Sequence, residues 1–261
     1  MVQYSFSLVT FEYFLLILVR ISTFVFVSPF YGMTNVPARL KVSMTCFIAI
    51  LVFTFRPESS VEYAGIYGYS LLVLKEGITG LLIGFAANVC NSIILFAGSL
   101  IDMHLGLSMA QEYDPVSRAQ TSVSANFYQY ILLLLLVVSD MHHYILRAII
   151  DSFELIPVGG AVFQWNYLMT GMVKFAADLF SIGFRITLPV FACIMILNSV
   201  LGIMAKLSPQ MNMFAVGMQL KIIIGLIILV ITVMLLPAVA NYIFTEMKVM
   251  IVTMIKGMYV E

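Results

Sequence analysis

Apolar residues fall in long unbroken blocks, and polar residues are confined to short joins between them. A bilayer core of about 30 Å is crossed by roughly 20 apolar residues in a helix. The first block covers residues 13–31, carries Arg20 as its one charge, and closes at Pro29 and Gly32. Residues 42–55 follow between Lys41 and Arg56, a stretch of 14 that is short for a full span. Residues 63–74 and 77–101 are uncharged, and Lys75 with Glu76 is expected to mark a join between them. Another span is predicted over 119–139. Residues 140–154 mix charge and apolar side chains as an amphipathic helix would. Residues 155–173 are interrupted by Pro157, Gly159 and Gly160 and read as a loop leading into a helix.

In the C-terminal half, residues 186–205 and 222–245 are the clearest spans. Between them, 207–220 is uncharged but holds Pro209, Gln210 and Asn212, which predicts a re-entrant or interfacial piece. The tail from 246 keeps a Met/Val/Ile face beside Lys248 and Lys256, as an interfacial helix would. The sum is five or six spans in an all-α, polytopic membrane protein. Continuous rather than alternating runs argue against a β-barrel, and neither a short repeat nor a soluble domain is visible.

Composition agrees with that class. Of 261 residues 62% are hydrophobic and 10% charged, against about 25% charged in a soluble domain. The charges balance at 13 basic and 13 acidic, so no field favours nucleic acid. Cys46, Cys90 and Cys193 stand apart inside apolar runs, without disulfide or metal spacing. Residues 1–10 lack a basic n-region, so the first apolar block is expected to stay in the mature protein. Arg39 and Lys41 favour a cytoplasmic first loop, but other loops carry both signs and orientation stays open.

Catalytic motifs are not found. No lysine follows a glycine, which excludes a P-loop, and HExxH, CxxC and GxSxG are missing. His142 and His143, with Asp140, invite a metal test. Neighbouring helical positions point about 100° apart, so a wet helix end is the expected reading. Gly77, Gly80 and Gly84 form a small-residue ridge suited to close helix packing in lipid. Arg20 and Asp102 are ionisable groups at membrane depth and should face protein or water; for Arg20 snorkelling to an interface is an equal option. Residues 106–122, GLSMAQEYDPVSRAQTS, are the most polar stretch in mid-chain. They read either as a surface loop or as the lining of a water-filled path, where polar backbone is tolerated at depth.

These residues together resemble the FliR family of the flagellar type III export apparatus, related to the SctT proteins of virulence systems. The likeness covers nearly the whole chain. It includes Arg20 and Pro29, the run from Val36 to Lys41, Glu76 ahead of Gly84-Phe85, and Gly98-x-x-Ile101-Asp102-x-x-x-Gly106 with Asp114-Pro115. It continues with Phe153-Glu154-Leu155-Ile156-Pro157-Val158-Gly159, then Leu188-Pro189, Asn198 and Leu201-Gly202. Its most specific block runs from Leu207 to Phe214, followed by Gly217 and Lys221. Gln219 stands where the family often has proline, which weakens the expectation of a bend there.

The resemblance implies a non-enzymatic subunit without cofactors, built of bent helical hairpins within a helical hetero-oligomeric export gate. Its implied partners are FliP and FliQ, with FlhB and FlhA nearby, membrane lipid, and unfolded flagellar subunits in transit. Its implied place is the bacterial inner membrane at the flagellar basal body. One family domain, 1–261, would comprise hairpins over 1–105, a polar plug loop at 106–122 and C-terminal helices over 123–261. The plug role falls on Gly106, Leu107, Ser108, Met109, Gln111, Glu112, Tyr113, Asp114 and Pro115, with Arg118 beside them. An assembly role falls on Pro209, Gln210, Asn212, Phe214, Gly217 and Lys221. Competing readings are a virulence-type subunit and a small-solute transporter coupling through Asp102, Glu112 and Arg118. An intramembrane enzyme using Ser108 and a histidine lacks any nucleophile motif.

Overall fold

The computed structural model describes residues 8–33, 35–55, 63, 65–107, 112–114, 119–208, 210 and 213–259. Its helices are α1 (Leu8–Val27), α2 (Ala38–Phe55), α3 (Gly65–Leu105), α4 (Val123–Val138), α5 (Met141–Leu155), α6 (Trp165–Leu207), α7 (Met213–Val233) and α8 (Leu236–Lys256). Two short strands, β1 (Glu112–Asp114) and β2 (Ala119–Thr121), pair antiparallel between α3 and α4. Among the described residues six helices are long and apolar enough to cross a bilayer. A seventh span arises if α4 and α5, bent by 71°, act together. The chain is thus an all-α, multi-pass membrane protein with one small ribbon.

Four boundaries differ from the hydropathy pattern. Lys75 and Glu76 do not mark a join: α3 runs through them for 41 residues, because Glu76 finds a buried cationic partner. The loop over 155–173 does lead into a helix, but that helix, from Trp165, and the span over 186–205 are one, the 43 residues of α6, which continues through Pro189. Conversely, the block 222–245 is two helices. A proline ring clashes with the carbonyl four residues earlier and has no N–H to give. Pro237 therefore ends α7 at Val233 and stands in the first turn of α8. The tail is likewise no separate helix but the second half of α8.

Contacts group the chain into two units that are discontinuous in sequence. The first holds residues 1–89, 140–174 and 246–261; the second holds 90–139 and 175–245. In the first, α1 buries Leu16, Ile17, Ile21 and Phe24 and packs against α2 and the glycines of α3. The turn after α1 is fixed by Pro29, by Gly32 N–H bonding to the Ser28 carbonyl at 2.9 Å, and by Lys41, whose Nζ donates to the Gly32 carbonyl at 2.9 Å. Tyr31 donates its hydroxyl to the His142 carbonyl at 3.0 Å. Burial pushes that phenol up to about 12, so it stays a donor at physiological pH. The start of α6 is tied to the end of α8 by Val162 N–H and Gln164 N–H, each 2.9 Å from the carbonyls of Met258 and Gly257.

The second unit is glued by polar groups that satisfy each other inside apolar helices. Tyr128 and Thr232 share a hydroxyl bond of 2.8 Å, and Gln129 donates to Asn91 at 2.9 Å. Phe96 lies edge-on to Phe180 and Phe184, with centroids 5.2 and 5.9 Å away. Gly183 makes room for that ring, since a Cβ there would fall 2.5 Å from Phe96 Cδ1.

The glycine ridge of α3 divides by function. A methyl on Gly80 would overlap the Arg20 carbonyl oxygen, and one on Gly84 would sit 3.0 Å from the Phe24 carbonyl oxygen. At Gly77 the nearest atom would be Val19 Cγ1 at 3.7 Å, an ordinary contact. Gly80→Ala should therefore destabilise the fold by about 1–3 kcal/mol or more, whereas Gly77→Ala should be neutral or slightly stabilising in a helix. Thermal melting of the two variants in mild detergent checks the contrast. Equal melting temperatures would refute it.

Candidate functional site

The polar stretch 106–122 begins where α3 stops. Gly106 takes φ +75°, the left-handed conformation that glycine adopts freely just past a helix end. Leu107 is half-buried. The strands then pair Glu112 with Thr121, Tyr113 with Gln120 and Asp114 with Ala119. Within the polar stretch, Glu112–Asp114 and Ala119–Thr121 are thus paired strands. Ser108, Met109, Gln111, Pro115 and Arg118 lie outside the described residues.

The far end of the ribbon is fastened to α3. Ser122 caps α4, its side chain accepting the Ala125 N–H at 3.2 Å. Asp102, 2% exposed in the last turn of α3, accepts the Ser124 N–H at 3.2 and 3.3 Å through its two carboxylate oxygens. Gly98, one turn earlier, lets the helices close: a Cβ there would fall 2.5 Å from the Ala125 nitrogen. His104 stacks edge-on to Phe191 at 4.9 Å.

Arg20 neither snorkels nor faces water. Its guanidinium donates from Nε to Glu76 Oε2 at 2.5 Å and from Nη2 to Oε1 at 3.0 Å. Both side chains are fully buried. Nη1 donates to the Ile156 carbonyl at 3.0 Å, and the Gly159 N–H donates to Glu76 Oε1 at 2.8 Å. Phe153 lies under the guanidinium, 4.2 Å from its carbon to the ring centroid. Planar, bidentate pairing of this kind is what arginine supplies and lysine does not. Glu76 is the residue that hydropathy misread, and the signal for it was the unpaired Arg20 itself.

Around the α6–α7 turn, Pro209 and Asn212 lie outside the described residues. Gln210 is exposed and Lys221 half-buried. Phe214 lies in the first turn of α7, and the helix passes Gln219 without a break. Gly217 packs on α6, where a Cβ would meet Leu201 Cδ1 at 3.3 Å. At the α4–α5 bend, Asp140 adopts φ +57°, and the donor atoms of Asp140, His142 and His143 come within 4.8 Å of one another. The two imidazole centroids lie 3.9 Å apart, with the rings tilted 39° to each other. Asp140 and His143 form an exposed pair at 3.3 Å.

Comparison with known proteins places this arrangement. The family described as "Bacterial export proteins, family 1" matches residues 11–247. The chain belongs to that family. It is 33% identical to the flagellar biosynthetic protein FliR of Bacillus subtilis (strain 168) over 90% of this chain and 91% of the relative. It is 30% identical to the FliR protein of Aquifex aeolicus (strain VF5), covering 86% and 88%. The FliR protein of Escherichia coli (strain K12) is 24% identical over 88% and 87%. The family's match spans both the Arg20 cluster and the Asp102 junction.

Removing one member of a buried pair typically costs about 3–5 kcal/mol, while replacing both with apolar residues costs much less. Arg20→Met and Glu76→Leu should each lower the melting temperature sharply. The double variant should lose clearly less than the sum of the two. Melting of all three in detergent closes the cycle, and additive losses would show that the pair is not coupled.

Proposed function

We propose that the chain is a non-enzymatic core subunit of the flagellar type III protein-export gate in the bacterial inner membrane, at the flagellar basal body. It assembles there with FliP- and FliQ-type subunits, next to FlhB and FlhA, and unfolded flagellar subunits pass through the assembly. The ribbon segment 106–122 is the plug of that path. The observation that carries the reading is the paired strands Glu112–Asp114 and Ala119–Thr121 set between two apolar membrane helices, with the N-terminus of the second bonded to Asp102 of the first. Polar backbone at membrane depth is stable only where it meets protein or a water-filled path.

The surface of α6 supports assembly. The helix has 43 residues, about twice what a bilayer core needs. Large apolar side chains stay exposed along all of it, including Trp165 at 71%, Val173 at 69%, Ile196 at 66% and Leu207 at 77%. Lipid covers at most about half of such a length, so the remainder calls for protein neighbours. Gating is then passive, and the driving energy comes from other components, since no nucleotide-binding motif is present in the sequence. A solute transporter coupling through Asp102 is disfavoured because that carboxylate is already buried against a helix N-terminus. Flagellar rather than virulence use follows the names of the relatives.

The test replaces residues 106–122 by a Gly/Ser linker of equal length in cells carrying the rest of the apparatus. Small-ion leak should rise while flagellar subunits are still exported. Membranes as tight as wild type would overturn the plug assignment. Copurification in mild detergent with FliP- and FliQ-type subunits tests assembly separately; a stable, isolated monomer would contradict it.

A further inference from the structure

We infer that Asp140, His142 and His143, at the start of α5, form a binding site for one divalent transition-metal ion of the zinc class. The site uses none of the residues assigned to the gate above and stands without that reading. Two imidazoles and a carboxylate are a donor set that zinc takes, with water completing a tetrahedral shell. The three side chains bring their donor atoms within 4.8 Å of one another.

The spacing suits the ion. Two ligand atoms that each stand about 2.0–2.1 Å from a tetrahedral ion lie about 3.3–3.4 Å apart. Asp140 Oδ1 and His143 Nδ1 are 3.3 Å apart, and both side chains are open to an entering ion. The third donor then has to close by at most about 1.5 Å, the difference between 4.8 and 3.3 Å, which a small side-chain rotation provides.

An exposed Asp–His pair by itself is ordinary at a helix end, and His142 sets this one apart. Its Nδ1 is buried and has no hydrogen-bond partner, whereas a histidine at a wet helix end would offer both nitrogens to water. A buried polar atom left unsatisfied is unfavourable, and a cation shared with two neighbours gives a ring nitrogen its partner. The centres of the two imidazoles are also 3.9 Å apart, although successive helical positions would spread them by about 100°.

The surroundings hold His142 in place. Its carbonyl accepts the Tyr31 hydroxyl at 3.0 Å, and the Phe30 ring centre lies 5.8 Å from its own. Phe30 and Asp140 are the two non-glycine residues with positive φ among the described residues, at +69° and +57°. Aspartate tolerates that conformation, but for a bulky residue it is strained, and strain of this kind collects where ligands are clamped. Here one such residue is a ligand and the other packs on a ligand. The N-terminus of α5 opposes a cation, but only by about twofold to fivefold in affinity, and the Asp140 carboxylate acts in the other direction. A bound ion ties the first turn of α5 together and, through His142, stiffens its seat on the turn after α1.

The test uses the full-length chain without a histidine tag, purified in mild detergent, stripped with a chelator and titrated with Zn²⁺ by calorimetry. One Zn²⁺ should bind per chain with a dissociation constant below about 100 μM. His142→Ala and His143→Ala should each weaken binding by more than the roughly tenfold that loss of an outer-shell partner causes. His104→Ala, which leaves the cluster intact, should bind as the wild type does. Asp140 and His143 are exposed, so Asp140→Asn and His143→Ala should melt like the wild type without metal. Zn²⁺ should then raise the melting temperature of the wild type and leave that of His143→Ala unmoved. Titration without saturation, or several weakly held ions per chain, would overturn the site. So would Zn²⁺ affinity unchanged in both Asp140→Asn and His143→Ala, which would assign the ion to other groups.

Discussion

A charge that cannot reach water must be answered by the chain itself, and the pairing of Arg20 with Glu76 is where this protein meets that demand. Both groups are fully buried, and an unmatched ion there would cost several kcal/mol. The answer draws on three distant parts of the sequence: α1 brings the guanidinium, α3 the carboxylate, and the turn after α5 a carbonyl from Ile156 and an N–H from Gly159. Fixing those groups fixes much else. Arg20's own carbonyl oxygen lies where a side chain on Gly80 would be, so the ion pair and the glycine contact are two faces of one helix crossing. The run Phe153 to Gly159 gains its meaning here too, since a ring, a carbonyl and an N–H from it all reach the same cluster.

Hydropathy reads each residue by itself and therefore finds spans well and partners poorly. The membrane class, the isolated charges at Arg20 and Asp102, and the polar middle segment were all legible as single-residue or short-window properties. Glu76 was not: in a window it is an interruption, and only its partner 56 positions away turns it into helix interior. Pro189 and Pro237 make the same point in reverse. Both are prolines within apolar blocks, yet α6 continues through the first and the chain breaks before the second. The carbonyl that Pro189 leaves without a helical donor is that of Arg185, one turn back on α6. The ribbon escaped a helix-period reading because its strands are three residues long, too short for any periodic signal.

Among the described residues, most buried polar side chains are committed to a partner, with the Ser124 hydroxyl and His142 Nδ1 as exceptions. Tyr128 to Thr232, Gln129 to Asn91 and Asp102 to Ser124 each close on an internal partner. Helices held by such bonds and by glycine contacts do not need to bury their outer apolar faces in the monomer. That leaves α6 and α7 with exposed rows such as Phe180, Phe184 and Leu188, or Ile223, Ile227 and Ile231. The interior specifies the fold of the subunit, and the exterior stays free to be solvated by lipid or by neighbouring chains.

The two buried acidic sites also differ in how firmly they are held. Glu76 accepts two bonds from arginine and one from backbone, and its partner makes one more to backbone and lies over a ring. Among the described residues, Asp102 shares one N–H between its two oxygens, at 3.2 and 3.3 Å. Moving either exposes a charge to apolar surroundings, but the number of bonds broken is not the same. A cluster with opposite charges and several bonds must rearrange as a whole, which makes it a fixed point. A carboxylate holding one amide can exchange that amide for water in one step once water reaches it. The rearrangement that breaks the fewest internal bonds is therefore one at the junction of α3 with α4, not at the crossing of α1 with α3.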